Sequence, residues 1–362
     1  MPAGLPRGMP GIGDEMEGAM QHAPQPVRQF MTQPRLVARG CPIHASPVAL
    51  RLQLENIREA ARVIDPMFRN TPQFVADALS AAVGARVVVK IETANPLRSF
   101  KGRGADYLVA KLRGERALIT ASAGNFGQAM AQACGRRGIR LTVYAGVHAN
   151  ALKLERMRAL GADVILAGND FDGAKLAAQE AATRSGVRLI EGSGDVETCE
   201  GAGTIGLELA AFPEPLDAVI VALGNGGLAS GVGAALKALS PRTRIVAVQS
   251  AGAPAMVESW RERRLVTHES VATIADGIAV RRPIPACVED LREVLDDALL
   301  VRDDTLRAAM RLAHQQLGLV LEPSGAASLA VLLEHAPLFA GQTVAVVLCG
   351  GNLTPEQMRA WL

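Results

Sequence analysis

The stretch Ala85-Arg-Val-Val-Val-Lys-Ile-Glu-Thr-Ala-Asn95-Pro-Leu-Arg-Ser-Phe-Lys-Gly-Arg-Gly-Ala105 holds a strand, a loop and the start of a helix in order. Ala85–Glu92 is β-branched and of strand length, and Lys101 falls at the loop-to-helix junction behind it. The theme repeats outward at Ala117–Thr120, Arg140–Ala145 and Asp163–Ala167. Alanine-rich helical patterns follow these runs at Asn125–Arg137, Ala151–Leu160 and Phe171–Arg184. It returns at Ala218–Leu223, Arg244–Gln249 and Thr343–Leu348. Strands apolar on both faces and separated by helices imply an α/β fold with parallel sheet covered on both sides.

The 362 residues carry 49% hydrophobic and 20% charged side chains, enough to bury a core, which excludes wholesale disorder. Basic residues number 38 and acidic residues 36, a net +2 with no long run of one sign. That balance, with 3% aromatics, argues against nucleic acid as a partner. No uninterrupted apolar stretch is long enough for a membrane span, so no membrane partner is expected. Cys41, Cys134, Cys199, Cys287 and Cys349 are scattered and odd in number, which reads as reduced thiols in a cytoplasmic protein. The histidines form no zinc pattern. The first 47 residues are rich in proline, glycine and glutamine and read as a flexible arm, and after Gly351 only a short helix, Pro355–Leu362, is expected.

Three strand-to-helix turns are glycine-rich: Thr120-Ala-Ser-Ala-Gly-Asn-Phe-Gly127, Leu223-Gly-Asn-Gly-Gly-Leu-Ala-Ser-Gly231 and Leu348-Cys-Gly-Gly-Asn352. Such turns can aim backbone N–H groups at an anion on the positive end of a helix, although each alone is also an ordinary tight turn. None has the dinucleotide or nucleoside-triphosphate spacing. The chain has only six lysines against an arginine-rich background. A lysine retained there can lose its proton and act as a nucleophile, which arginine cannot.

At this point Asn95-Pro-x-x-Ser-Phe-Lys101-x-Arg-Gly-Ala resembles the lysine motif of fold-type II pyridoxal-phosphate enzymes, the threonine/serine dehydratase and serine racemase family. Ser122-Ala-Gly-Asn125 is similar to that family's asparagine loop, and Gly224-Asn-Gly-Gly-Leu228 to its phosphate loop. Thr273–Gly277, Glu322-Pro-Ser-Gly-Ala326 and Cys349-Gly-Gly-Asn352 match in the same order, so the likeness spans roughly residues 50–362. The resemblance implies a tryptophan synthase β-like fold: a large domain of 48–116 plus 195–362, a small one of 117–194, and pyridoxal 5'-phosphate in the cleft between them.

By the same resemblance Lys101 would carry the cofactor covalently and shuttle the α-proton, while Phe100 packs on its ring. Asn125 would bond the ring hydroxyl. Gly224, Asn225, Gly226, Gly227 and Leu228 would hold the phosphate, and Cys349 would face the ring nitrogen. The N–H groups of Ser122, Ala123, Gly124, Asn125 and Phe126 would take the substrate carboxylate, with Asn125 as a plain N-cap the competing reading.

Five positions depart from the family pattern. Ala123 stands where racemases carry a proton-transferring serine, which disfavours racemisation. Gln249 and Ala255 replace the carboxylates of a divalent-metal site, so no magnesium or calcium is expected there, while a monovalent ion on carbonyls stays open. Asn225 replaces a loop glycine, where it could tolerate positive φ and add a side-chain donor. Phe126 follows Asn125 where many relatives have histidine, either making an apolar wall or pointing into the core. The expected function is a dehydratase, an ammonia-lyase that converts an L-3-hydroxy amino acid to a 2-oxo acid and ammonia. Threonine, serine or a bulkier substrate such as 3-phenylserine would serve, and a homodimer is implied. β-Replacement or threonine-synthase-like chemistry is the alternative, and a non-enzymatic binding protein stands last.

Overall fold

Valine and isoleucine runs bury on both faces when helices cover a sheet from either side, and that is how the longest runs are used. The computed structural model describes residues 50–362; the expected arm, 1–47, lies outside the described residues. A six-stranded sheet has the order β1 (Gln73–Val75), β2 (Arg86–Ile91), β10 (Thr343–Leu348), β7 (Ala218–Ala222), β8 (Arg244–Ser250) and β9 (Asp297–Val301). Neighbours are parallel except β1, which pairs antiparallel with β2 at the edge. A second sheet, fully parallel, has the order β5 (Asp163–Leu166), β4 (Arg140–Ala145), β3 (Ala117–Ala121) and β6 (Arg188–Ile190).

Two expectations need correction. The large sheet is not wholly parallel, because the three-residue β1 closes its edge. Nor is every strand apolar on both faces: β5 is the edge of the second sheet, and Ile165 and Leu166 stay exposed on it. No helix among the described residues is long and apolar enough to cross a membrane.

The lysine loop is held from below. Helix α3 (Lys101–Lys111) begins on the residue of interest, and two positions later Arg103 is completely buried. Its guanidinium donates to Glu92 (2.8 and 2.9 Å), Glu208 (2.6 and 3.0 Å), Thr204 (2.8 Å) and Thr71 (3.1 Å). Lys90, also buried, donates to Glu208 and to the Thr71 carbonyl. Two cations face two carboxylates, so the cluster is neutral and its donors are satisfied.

Helices α7 (Val196–Ala210) and α8 (Gly227–Leu239) meet backbone to backbone. A Cβ on Gly231 would lie 2.1 Å from the Cys199 carbonyl oxygen and 2.7 Å from the Gly203 nitrogen. On the other side of α7, a Cβ on Gly104 would lie 2.4 Å from the Thr198 carbonyl oxygen. Small residues thus let α7 draw α3 and α8 together. Gly231→Ala should cost about 3 kcal/mol, because backbone has to move to admit the methyl. Urea unfolding checks this, and a loss under about 1 kcal/mol would mean the two helices can separate freely.

Candidate functional site

Lys101, Phe100, Phe126 and Gly227 line one cleft, of about 270 Å3 with its open mouth included, together with Gly104, Thr198, Gly192 and Ser193. Three of the sequence's candidate loops therefore meet at the lysine. The Lys101 amine makes no hydrogen bond or ion pair with the described residues, and lies 4.7 Å from the Phe100 ring centre and 6.0 Å from that of Phe126. The residue is half-buried, but its amine is deep enough that desolvation pushes its pKa down. The pulls of Cys349, Cys199 and Glu322 oppose this. Lys153, on α5 (Ala151–Ala159), behaves in the opposite way. Its buried amine meets Asp276 at 2.6 Å, and with Glu322 nearby it stays above its ordinary value despite desolvation.

The lysine loop is laced to the turn after β10. Phe100 N donates to the Cys349 carbonyl (3.1 Å), Gly351 N to Arg98 O (2.9 Å), and the Asn352 amide to Leu97 O (2.8 Å). Arg98 takes a left-handed backbone (φ 50°) to make this bend. Gly226 (φ 96°) provides the left-handed step of the glycine loop, and Asn225 does not share it, contrary to the conformation allowed for it from the sequence. Asn225 instead lines a second cavity with Ala121, Lys175 and Ile284, and its amide oxygen is buried without a partner among the described residues. The N–H groups of Gly224, Asn225 and Gly226 make no hydrogen bond with the described residues, while that of Gly227 donates to Ser193 Oγ (3.3 Å). Leu228 turns its side chain into the core and has only its N–H to contribute.

Asn125 is the first residue of α4 (Asn125–Arg136), behind an N-cap at Gly124, so the N-cap reading of Asn125 falls. Its amide nitrogen donates to Glu322 (2.7 Å) and its oxygen accepts from Asn352 (2.9 Å). Of the five proposed carboxylate donors, two are already engaged. Ser122 N–H continues the strand ladder to Tyr144 O (2.9 Å), and Gly124 N–H reaches Ser122 Oγ (3.3 Å), which also accepts from Gly127 N (2.9 Å). Ala123, Asn125 and Phe126 keep theirs free among the described residues. Phe126 faces the cleft, its ring covering Gly192.

Cys349 is buried at the end of β10, its thiol pushed up to about 12 by burial. Its S–H is directed at the Ser324 carbonyl (3.5 Å), which commits the proton that a ring nitrogen would otherwise meet. Ser324 Oγ, on α12 (Pro323–Glu334), is buried with no partner among the described residues. Gln249 spends both ends of its amide within the fold, accepting from Met256 N and Val257 N and donating to Ile278 O. Glu322 belongs to a motif quoted from the sequence, which by itself assigns it no role. It accepts from Asn125 and from Asn352 N (3.2 Å), and desolvation pushes its carboxyl up to about 7 against the pull of Lys153.

Residues 64–350 match the family described as pyridoxal-phosphate dependent enzyme. The chain is 34% identical over 305 residues to an L-threonine ammonia-lyase of Thermotoga maritima, covering 83% of this chain and 76% of that one. It is 32% identical over 309 residues to a catabolic L-threonine dehydratase of Staphylococcus aureus, covering 83% and 89%. Among solved structures it resembles a T.th. threonine deaminase (32% identity, TM-score 0.79, 83% of this chain and 98% of that one). It also resembles maize serine racemase (29% identity, TM-score 0.80, 85% and 96%).

Because the folded-state value of Glu322 lies above the ordinary 4.5, the folded protein keeps a proton that the unfolded chain releases. Its contribution to stability is present below pH 4.5 and is lost as pH rises to about 7. Glu322→Gln removes this titration. The urea midpoint of the wild type relative to the variant should therefore decline across that window, and a constant difference would mean that Glu322 is ionised throughout.

Proposed function

Since the chain belongs to the pyridoxal-phosphate dependent enzyme family and is a pyridoxal-phosphate-dependent ammonia-lyase, we propose that it eliminates across the α,β-bond of an L-3-hydroxy amino acid. Threonine and serine are the first substrates, and a 2-oxo acid and ammonia the products. The observation that carries this reading is the desolvated Lys101 amine, without an acceptor, in a cleft it shares with Phe126 and the glycine loop.

The residues fit pyridoxal phosphate. The Lys101 amine, its pKa lowered by desolvation and with no hydrogen bond to the described residues, suits covalent attachment. Unpaired N–H groups of Gly224, Asn225 and Gly226 precede α8, where the helix dipole favours a phosphate. Ser324, whose backbone carbonyl takes the Cys349 thiol, also has a buried hydroxyl with no partner among the described residues. Bound there, the cofactor supplies an electron sink that acidifies the substrate α-hydrogen and lets a β-substituent leave.

In this reading Lys101 holds the cofactor and takes the α-proton at Nζ, a task its lowered pKa suits. Asn125, with its oxygen and one amide hydrogen engaged, has one N–H left to offer the ring hydroxyl. Ala123, Asn125 and Phe126 N–H groups receive the substrate carboxylate at the start of α4. Ala123 has no proton to transfer on the opposite face, which weighs against racemisation. Phe126 gives the β-carbon an apolar wall. Residues 117–194 act as the small domain, closing on the larger body of 48–116 and 195–362 to exclude water. Lys153–Asp276, Arg281–Asp172 and the Arg156–Asn352 hydrogen bond (2.6 Å) join the two across the cleft. We include a cytoplasmic homodimer in the reading.

Ammonia release from L-serine, L-threonine, 3-hydroxyaspartate and 3-phenylserine tests the proposal. At least one should react, and Lys101→Ala should lower the rate by at least about a thousandfold. No release from any of them, with the yellow lysine-bound cofactor present, would transfer the protein to β-replacement chemistry. Phe126→Ala should shift the kcat/KM ratio of 3-phenylserine to threonine upward by about tenfold, the scale that space for a few apolar carbons provides.

A further inference from the structure

The turn Gly192–Gly194, between β6 and α7, is fastened by donors on three successive carbonyls. Gly192 O accepts from Thr198 Oγ1 (2.5 Å) and Asp195 N (3.0 Å). Ser193 O accepts from the thiols of Cys287 (3.0 Å) and Cys199 (3.4 Å). Gly194 O accepts from Arg51 (3.1 Å), whose guanidinium is fixed on Asp290 at 2.6 and 3.0 Å. Burial pushes both thiols up to about 12, so they remain protonated donors at neutral pH. The Ser193 side chain is left to the Lys101 cleft. Its oxygen accepts the Gly227 N–H, and a Cβ on Gly227 would lie 2.9 Å from that oxygen. The hydroxyl proton has no acceptor among the described residues.

We propose that Ser193 is a side-chain ligand of the cofactor phosphate, donating its hydroxyl proton beside the free N–H groups of Gly224, Asn225 and Gly226. The inference rests on the pyridoxal-phosphate reading above. Ser193 reaches the N-terminus of α8 through Gly227, the one glycine-loop residue that lines the lysine cleft, and so lies on the phosphate side of the site. A hydroxyl that accepts an N–H is polarised toward donating its own proton, and an anion is the acceptor that gains most from this. The fastened backbone means that little freedom is lost when the phosphate arrives.

Titration of the apoprotein with pyridoxal phosphate and with pyridoxal, which has the same ring and no phosphate, separates the possibilities, read by visible absorbance without substrate. Ser193→Ala should weaken pyridoxal phosphate about ten- to a hundredfold, the scale of a hydrogen bond to a charged group. Pyridoxal should shift by less than about twofold, and Ser193→Thr should restore tight binding, as a retained hydroxyl requires. Equal weakening of both compounds would overturn the proposal in favour of a structural role. Unchanged affinity with slower threonine turnover would also overturn it, assigning the hydroxyl to the substrate. Wild-type protein that binds neither compound would overturn the cofactor reading itself.

Discussion

The neutral charge cluster around Arg103 is the constraint on which the site depends. Burying a guanidinium and an ammonium is costly unless carboxylates meet them with good geometry, and removing one partner of such a pair typically costs about 3–5 kcal/mol. Glu92 and Lys90 come from β2 and its end, Glu208 and Thr204 from α7, and Thr71 from the segment before β1. Arg103 therefore ties the first turn of α3 to the large sheet and to α7 together. Lys101 is two residues away, so its position is set by a cluster with which its amine makes no contact.

The buried lysines show how partners decide chemistry. Lys90 and Lys153 each have a carboxylate within hydrogen-bonding distance, but only Lys153 is held above its ordinary value, while desolvation lowers Lys90 despite Glu208. Lys101 shares the depth without the carboxylate, and the same desolvation that is offset in Lys153 leaves it inclined to be neutral. Asn125 depends on a comparable arrangement, held by Glu322 on one side and Asn352 on the other.

Much of this was legible in the sequence because the physics is local. A β-branched run between glycine turns makes a buried strand, and β2, β3, β4, β7, β8 and β10 follow their runs to within a residue or two. The short strands β1 and β6 have three residues each, too few for a periodic signal, and β9 opens on an aspartate. Missing β6 hid Ser193, since Gly192-Ser-Gly194 is a strand-to-helix glycine turn of the kind read at three other places. Glu322 was visible as part of a motif, but nothing local says that its carboxylate meets an amide 197 positions earlier. The engagement of Ser122 N–H by Tyr144 likewise depends on the pairing of β3 with β4, which a linear reading does not supply.

The four cysteines among the described residues are all buried, and burial raises each thiol to about 12. A thiol reagent can reach them only when the surrounding structure opens, so its rate measures the frequency of that opening. Cys134 belongs to the core of the second sheet, Cys199 and Cys287 fasten the Ser193 turn, and Cys349 lies at the end of the central strand β10. The fold thus carries internal clocks for local breathing in three separate regions, running without any introduced label.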